Sequence, residues 1–276
     1  MPILVALAAA GVYGAADFLG GFASRRNASG TVVLLSQVFG ALLLALCFAI
    51  EPTRITPADL QFGCFAGVAG AAAIVALYAA LAVGRMGIVS PVNAVVGASV
   101  PIFVGIGFGE RPSTFALIGI ACALVAVVLV SLDAKTGCFS FKEPGVALAI
   151  ASGVAIGALY VALGGAHGGT GFGRLVVTRV VSLAVLGVYV AVRRSPLRAA
   201  PGTLRFIAAA GVLDMGANVL YVVASHGGML SIVAVVTSLY PVSTVLLARF
   251  TLHEHLSAVQ WSGVACAIGG VVLIAL

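Results

Sequence analysis

Ten runs of about twenty apolar residues follow one another along this chain, separated by short polar connections. A helix needs roughly 20 mostly apolar residues to cross the ~30 Å hydrocarbon core of a bilayer. The runs are Ile3–Ala23, Thr31–Ile50, Leu60–Val83, Ile88–Phe108, Thr114–Leu132, Gly145–Gly165, Leu175–Val192, Leu204–Ala224, Met229–Phe250 and Ala258–Leu276. Turn formers separate them, among them Asn27-Ala28-Ser29-Gly30, Glu51-Pro52, Pro112, Ser195-Pro196 and Pro201-Gly202. Hydrophobic residues make up 62% of the 276 and charged residues only 8%. Soluble domains carry about 25% charged residues, so the solvent here is lipid.

The end of the fifth run repeats at the end of the tenth. Glu110–Leu132 aligns without a gap on Glu254–Leu276, and ten of the 23 positions are identical. They include Glu110/Glu254, Ser113/Ser257, Gly119/Gly263 and the consecutive block Ala121-Cys122-Ala123 on Ala265-Cys266-Ala267. An internal repeat in an apolar chain points to a transporter built from two related halves. The expectation is an all-α integral membrane protein of ten transmembrane helices arranged as two inverted five-helix repeats. Residues 1–132 form the first repeat, 133–144 a connecting loop and 145–276 the second. An odd number of spans per half makes the second half enter from the opposite side, which puts a substrate site between the halves near the midplane.

Charge bears on topology rather than on nucleic acid. The net charge of +6 is scattered over short loops and forms no dense patch. Ten Lys and Arg fall in loops after odd-numbered runs, against Arg54, Arg111 and Arg174 after even-numbered ones. The positive-inside rule then puts the odd loops in the cytoplasm and the termini outside. Four of the five Cys lie within apolar runs, and zinc-type spacings are absent, so neither disulfide nor metal is expected. The apolar N-terminus lacks a basic leader and reads as a retained span.

Order and spacing give the chain a family likeness over essentially its whole length. In each half a Pro- or Gly-containing run leads into an acidic turn and then a Gly/Ala-rich final helix. The turns are Gly109-Glu110-Arg111 and His253-Glu254-His255. Tyr78-Ala79-Ala80-Leu81 and Tyr221-Val222-Val223-Ala224 stand at equivalent places, and where the second half has Arg179 the first has Gln37. In these features the chain resembles the EamA type of the drug/metabolite transporter superfamily. The resemblance implies a helical bundle that exports or imports small metabolites, with export taken here as the expectation. Asp17, eight residues before Arg25, is also similar to the first-helix carboxylate of small multidrug resistance proteins, distant relatives that carry Glu there.

Three formal charges fall well inside the runs: Asp17, Arg179 and Asp214. Such a charge costs about 2.5–3.5 kcal/mol on insertion scales and normally faces a bundle interior or a wet cavity. At 1.5 Å per residue, Asp17 lies about 21 Å beyond Ile3, and Asp214 about 15 Å beyond Leu204. Arg179 then reaches Asp214 more easily than Asp17, unless it snorkels to the near interface. Asp17 is left as the unpaired acid, able to exchange a proton with each side in turn.

Four polar stripes at helical spacing suggest a shared lumen. They are Tyr13, Asp17, Gly20 or Gly21, and Ser24; Asp214, Asn218, Tyr221 and Ser225; Ser90, Asn93, Gly97 and Pro101; and Thr237, Tyr240, Pro241 and Thr244. Lone Ser, Thr and Asn residues also serve as interhelical glue, the simpler reading of each alone. Pro91, Pro101 and Pro241 each remove a backbone donor and are candidate kinks. Glu110 and Glu254 read as solvated turn residues.

The function expected is secondary active transport of small metabolites or drugs by alternating access, with protons as a candidate coupling ion. An uncoupled facilitator or exchanger is the first alternative, and a non-transport intramembrane protein the second. No nucleophile–base set supports an enzyme, and no cofactor is expected. The partners are a small-molecule substrate and the lipid bilayer of the plasma membrane, with a homodimer left open.

Overall fold

The structure, a computed structural model, describes residues 1–50, 54–83, 86–131, 145–164, 172–252 and 257–275. Its described residues form eleven helices: α1 (Pro2–Ser24), α2 (Ser29–Ile50), α3 (Pro57–Val83), α4 (Met86–Gly107), α5 (Thr114–Ser131), α6 (Val146–Gly164), α7 (Phe172–Arg193), α8 (Leu204–Gly227), α9 (Leu230–Thr237), α10 (Tyr240–Leu252) and α11 (Ala258–Ala275). Six of them, α1, α2, α3, α6, α7 and α8, are long and apolar enough to cross a membrane. Shorter apolar helices cover Val92–Gly107, Thr114–Leu129 and Leu230–Thr244. Glu254 and its neighbours His253 and His255 lie outside the described residues.

The ends of the helices follow local chemistry. Thr56 and Asp59 cap α3 reciprocally. Asp59 N donates to Thr56 Oγ1 at 3.2 Å, and Thr56 N donates to Asp59 Oδ2 at 3.0 Å. Ser113, one of the repeated positions, accepts Ala116 N at 3.1 Å and caps α5. After α4 the chain turns through Gly109 at φ +95°, which an L side chain would resist. Glu110 N bonds back to Gly105 O and Gly109 N to Ile106 O, both at 3.0 Å, which is the Schellman closure.

The ninth expected span is two helices. Proline at 241 has no N–H to give to the carbonyl of Thr237, and α9 stops there. Ser238 Oγ turns back to Ala234 O at 2.6 Å, and α10 restarts at Tyr240. By contrast, α4 runs unbroken through Pro91 and Pro101. Two further expectations are corrected. Glu110 is no solvated turn residue: its carboxylate accepts Leu230 N at 2.6 Å and Ser231 N at 3.1 Å, capping the buried helix α9. Arg174 is no loop residue. It lies in the first turn of α7, buried, 3.4 Å from the buried Asp59, with Nη1 on the α6 carbonyls of Ala162 (3.2 Å) and Leu163 (2.8 Å). A buried pair satisfies both charges where a loop would have left them to water.

Packing between the two parts of the chain is reciprocal. α1 packs on α8, and α3 on α6; α4 packs on α6, and α1 on α9 and α10; α2 packs on α8, and α3 on α7. At an offset of 144 residues each of these contacts maps onto its partner, and α5 meets its own counterpart α11. There Cys266 Sγ donates to Cys122 O at 3.3 Å, joining equivalent positions.

Glycine permits the closest of these approaches. A Cβ at Gly67 would stand 2.8 Å from the Thr178 carbonyl oxygen of α7, and one at Gly211 would strike the Ser36 carbonyl of α2. Without a hydrophobic drive between helices in lipid, such backbone proximity provides the dispersion contact that holds them together. Gly211→Ala should therefore lower the thermal stability of the detergent-solubilised protein by about 1–3 kcal/mol. Gly216→Ala, on the same helix with open space around it, should be neutral or stabilising by up to ~1 kcal/mol. Equal melting curves for the two variants would contradict the α2–α8 contact.

Candidate functional site

A cavity opens where α1, α2, α3, α6, α7, α8 and α10 converge, and Tyr13, Asp17, Arg179, Asp214, Asn218 and Tyr240 all line it. It offers about 70 Å³ to the centres of water-sized molecules, several times the ~10–15 Å³ that one water needs. Its apolar wall includes Ile74, Leu77, Leu159, Leu175 and Met215.

Arg179 is the hub. Its Nη2 lies 3.3 Å from Asp214 Oδ2, and its Nη1 donates to Gln37 Oε1. Ser182 Oγ also donates to Gln37 Oε1, at 3.4 Å. The guanidinium is buried, so these acceptors replace water around it. Gln37 and Arg179, equivalent by the family likeness, thus touch one another from α2 and α7. Asn218 Nδ2 donates to the backbone carbonyl of Asp214 at 2.8 Å, one turn back.

Asp17 differs. It lines the same cavity, half-buried, yet among the described residues its carboxylate has no hydrogen-bond or ion-pair partner. Tyr13, one turn earlier on α1, is buried, and its hydroxyl also lacks a partner among the described residues, as does Thr178 Oγ1. Both groups can bond to whatever enters. Tyr13 stands 6.2 Å from Tyr160, centroid to centroid, and Tyr160 stacks on Tyr221 at 4.5 Å.

Other expected residues serve the walls. Tyr221 donates to Tyr160 O at 3.1 Å and lies behind that ring rather than on the lumen. Asn93 Nδ2 donates to Tyr240 Oη at 2.6 Å, holding the Tyr240 ring from α4. Thr237 is wholly buried at the end of α9, beside the break that precedes Pro241, and its hydroxyl has no partner among the described residues. The side chains of Ser90 and Pro91 lie outside the described residues, and Pro101 is buried within α4. Tyr160, Thr178 and Ser182 line the cavity but had no place in the four stripes. A fifth stripe, Leu175, Thr178, Arg179 and Ser182, was readable at i, i+3, i+4 and i+7.

The EamA-like transporter family model matches residues 1–132 and again 143–276. The chain belongs to the EamA-like transporter family. It is therefore a multi-pass integral membrane protein of a family of small-molecule transporters. Comparison with curated protein sequences gave no match. Among solved structures, a crystal structure of a protein superposes with a TM-score of 0.74 at 16% identity, over 96% of each chain. At that identity the likeness is one of fold alone. In this EamA-like chain, the cavity with Asp17 and the Arg179 cluster is the candidate transport site.

The Arg179–Asp214 contact makes a stability prediction. Arg179→Gln and Asp214→Asn should each destabilise the protein, because each leaves a buried partner unmatched. The double variant should lose less than the sum, by about 0.5–3 kcal/mol. Thermal unfolding of all three in detergent measures this, and simple additivity would mean the pair is not coupled.

Proposed function

We propose that this protein is a secondary carrier that exports a small metabolite or drug across the plasma membrane by alternating access, coupled to protons at Asp17. The observation that carries the reading is a carboxylate, unpartnered among the described residues, in a cavity walled by helices from both parts of the chain. Residues 1–132 and 145–276 act as the two halves, inverted relative to one another, and rock about the cavity. The reciprocal helix packing supports that motion, since each contact has a counterpart that can take its place when the cavity opens to the other side. Coupling follows from competition: a proton and the substrate cannot both hold Asp17, so each crossing of one requires release of the other. An uncoupled exchanger using the same cavity is the second reading. It gains from Arg179 being already satisfied, because no second titratable group is then needed.

Burial of Arg174 within α7 leaves only Arg54 and Arg111 on the sparser side of the charge bias, in keeping with cytoplasmic odd-numbered loops. A membrane-impermeant thiol reagent applied to intact cells should label a single Cys at position 54 and spare one at position 26. The reverse pattern would overturn the orientation.

Asp17→Asn should fold and insert, keep substrate counterflow at equilibrium for a neutral substrate, and lose accumulation driven by a pH gradient. The measurement is proton and substrate flux in the same proteoliposomes, with a panel of metabolites. Full gradient-driven accumulation by Asp17→Asn would remove this acid from the coupling step.

A further inference from the structure

A contact between α5 and α11 is its own counterpart. Positions 144 residues apart are equivalent, so contacts between the two parts come in exchanged pairs. Two equivalent residues that touch have no separate counterpart, because the exchange returns the same pair. Cys122 of α5 and Cys266 of α11 are such residues, identical in the repeat. Cys266 Sγ donates to Cys122 O at 3.3 Å, and the two thiols are within hydrogen-bonding reach of one another. The other described cysteines, Cys47 and Cys64, have Ala191 and Ala208 at the equivalent positions.

Small residues build this crossing. A Cβ on Gly270 would stand 2.9 Å from Gly119 O, 3.1 Å from Ala123 N and 3.3 Å from Cys122 Cβ, so the two helices approach to backbone distance. A disulfide needs such proximity, because its Cα atoms lie only about 4.4–6.8 Å apart. Spacing along the chain offers no ground for a disulfide; the crossing of α5 on α11 does. The depths match as well. Cys122 comes eight residues after the start of α5 at Thr114, and Cys266 eight after the start of α11 at Ala258. At 1.5 Å per residue each is about 12 Å into its helix, near the middle of both. Both thiols are half-buried, and Val125 and Ile268 are exposed on the same two helices. The pair is therefore within reach of molecules dissolved in lipid.

We infer that Cys122 and Cys266 form a membrane-embedded dithiol that a lipid-soluble quinone oxidises to a disulfide, joining the two parts of the chain. Both S–H bonds break and one S–S bond forms. The two electrons and two protons pass to the quinone, which leaves as the quinol. A quinone suits the site because it carries oxidising equivalents within hydrocarbon, where water-soluble disulfides do not travel. The bond rests on the α5–α11 geometry alone; its mechanical consequence rests on the carrier reading. Alternating access in an inverted repeat exchanges the conformations of the two halves. Other contacts then trade places with their counterparts, whereas this pair maps onto itself and keeps its separation. The bridge is a pivot that fastens the halves without arresting their motion.

The test begins with the purified wild-type protein in proteoliposomes, reduced with dithiothreitol, freed of it and exposed to decylubiquinone. Remaining thiols are alkylated with N-ethylmaleimide before digestion with trypsin and mass spectrometry. Cys122 and Cys266 fall on separate peptides, Met86–Lys135 and Phe250–Leu276, each with a single Cys. The two peptides should appear linked after quinone treatment and separate again on re-reduction. Cys122→Ser and Cys266→Ser should each abolish the link. In detergent the bridged protein should melt about 5 °C or more above the reduced one. No linked pair after quinone, or as much linkage of either cysteine to Cys47 or Cys64, overturns the disulfide. Equal melting of the bridged and reduced forms overturns its role as a fastening.

Ser182→Cys in a protein without Cys47, Cys64 and Cys138 tests the pivot. Once the 122–266 pair is oxidised, position 182 carries the free thiol. An impermeant maleimide should label it from both sides of the membrane, as it should when Cys122 and Cys266 are replaced by Ser. Labelling from both sides only without the bridge would overturn the pivot. Labelling from one side in both proteins would end the carrier reading and leave the disulfide standing.

Discussion

An ionised side chain in hydrocarbon must find a partner or water, and the arrangement of this protein follows from how three such charges are treated. Arg179 finds Asp214 on the neighbouring helix and Gln37 on a helix from the other part of the chain. That places a polar junction where the two parts meet and draws α2, α7 and α8 together around it. Asp17 finds no partner among the described residues and faces the same small cavity. The contrast between a satisfied cluster and an unsatisfied acid, one wall apart, separates the group that holds the bundle together from the group that can trade partners. A carrier needs both. On the carrier reading proposed above, the cluster keeps the site assembled while its occupant changes, and the free acid makes the occupant matter.

Close helix contact makes that junction possible. Gly67 and Gly211 let α3 and α8 approach α7 and α2 to backbone distance, and Gly40 brings its helix against the Gly211 carbonyl, next to Arg179. The short helix α9 is tied at its start to the turn after α4, through Glu110, and just past its finish Asn93 of α4 holds Tyr240 of α10. Between them, at Ser238 and Leu239, the helical ladder is interrupted ahead of Pro241. A wall residue of the cavity, Tyr240, therefore stands immediately beside a break in its own helix. Rigid fastening next to an interrupted ladder is the kind of place where a small rotation changes what a ring covers.

Some of this was written in the amino-acid order and some was not. Apolar runs of helical length, and the repeat at Glu110 and Glu254, carry the helical membrane fold because lipid leaves few alternatives. Asp17, Asp214 and Arg179 stood out because charge is so rare in these runs, and depth along each helix was enough to favour Arg179 meeting Asp214. Gln37 stood out only as the first-half counterpart of Arg179, and Tyr160 not at all, since an isolated amide or a tyrosine in an apolar run has several ordinary uses. Only the crossing of α2 over α7 and α8 gives Gln37 its task. The role of Glu110 could not be read locally either. Its partner amides belong to residues about half the chain away, and a turn next to Arg111 looks the same in sequence whether it meets water or a helix end. The break in the ninth run follows from Pro241, but Pro91 and Pro101 carry the same local signal without ending α4. Tertiary packing decides between those outcomes.

The central claim is that one cavity serves both sides of the membrane in turn. It is tested most directly by side-specific modification of a lining position. A single Cys at Ser182, in a protein whose five native cysteines have been replaced, would be exposed to an impermeant thiol reagent in right-side-out and in inside-out vesicles. The account predicts labelling from both sides, with the balance between them shifted by pH. Labelling from one side only, under every condition of pH and ligand, would contradict it.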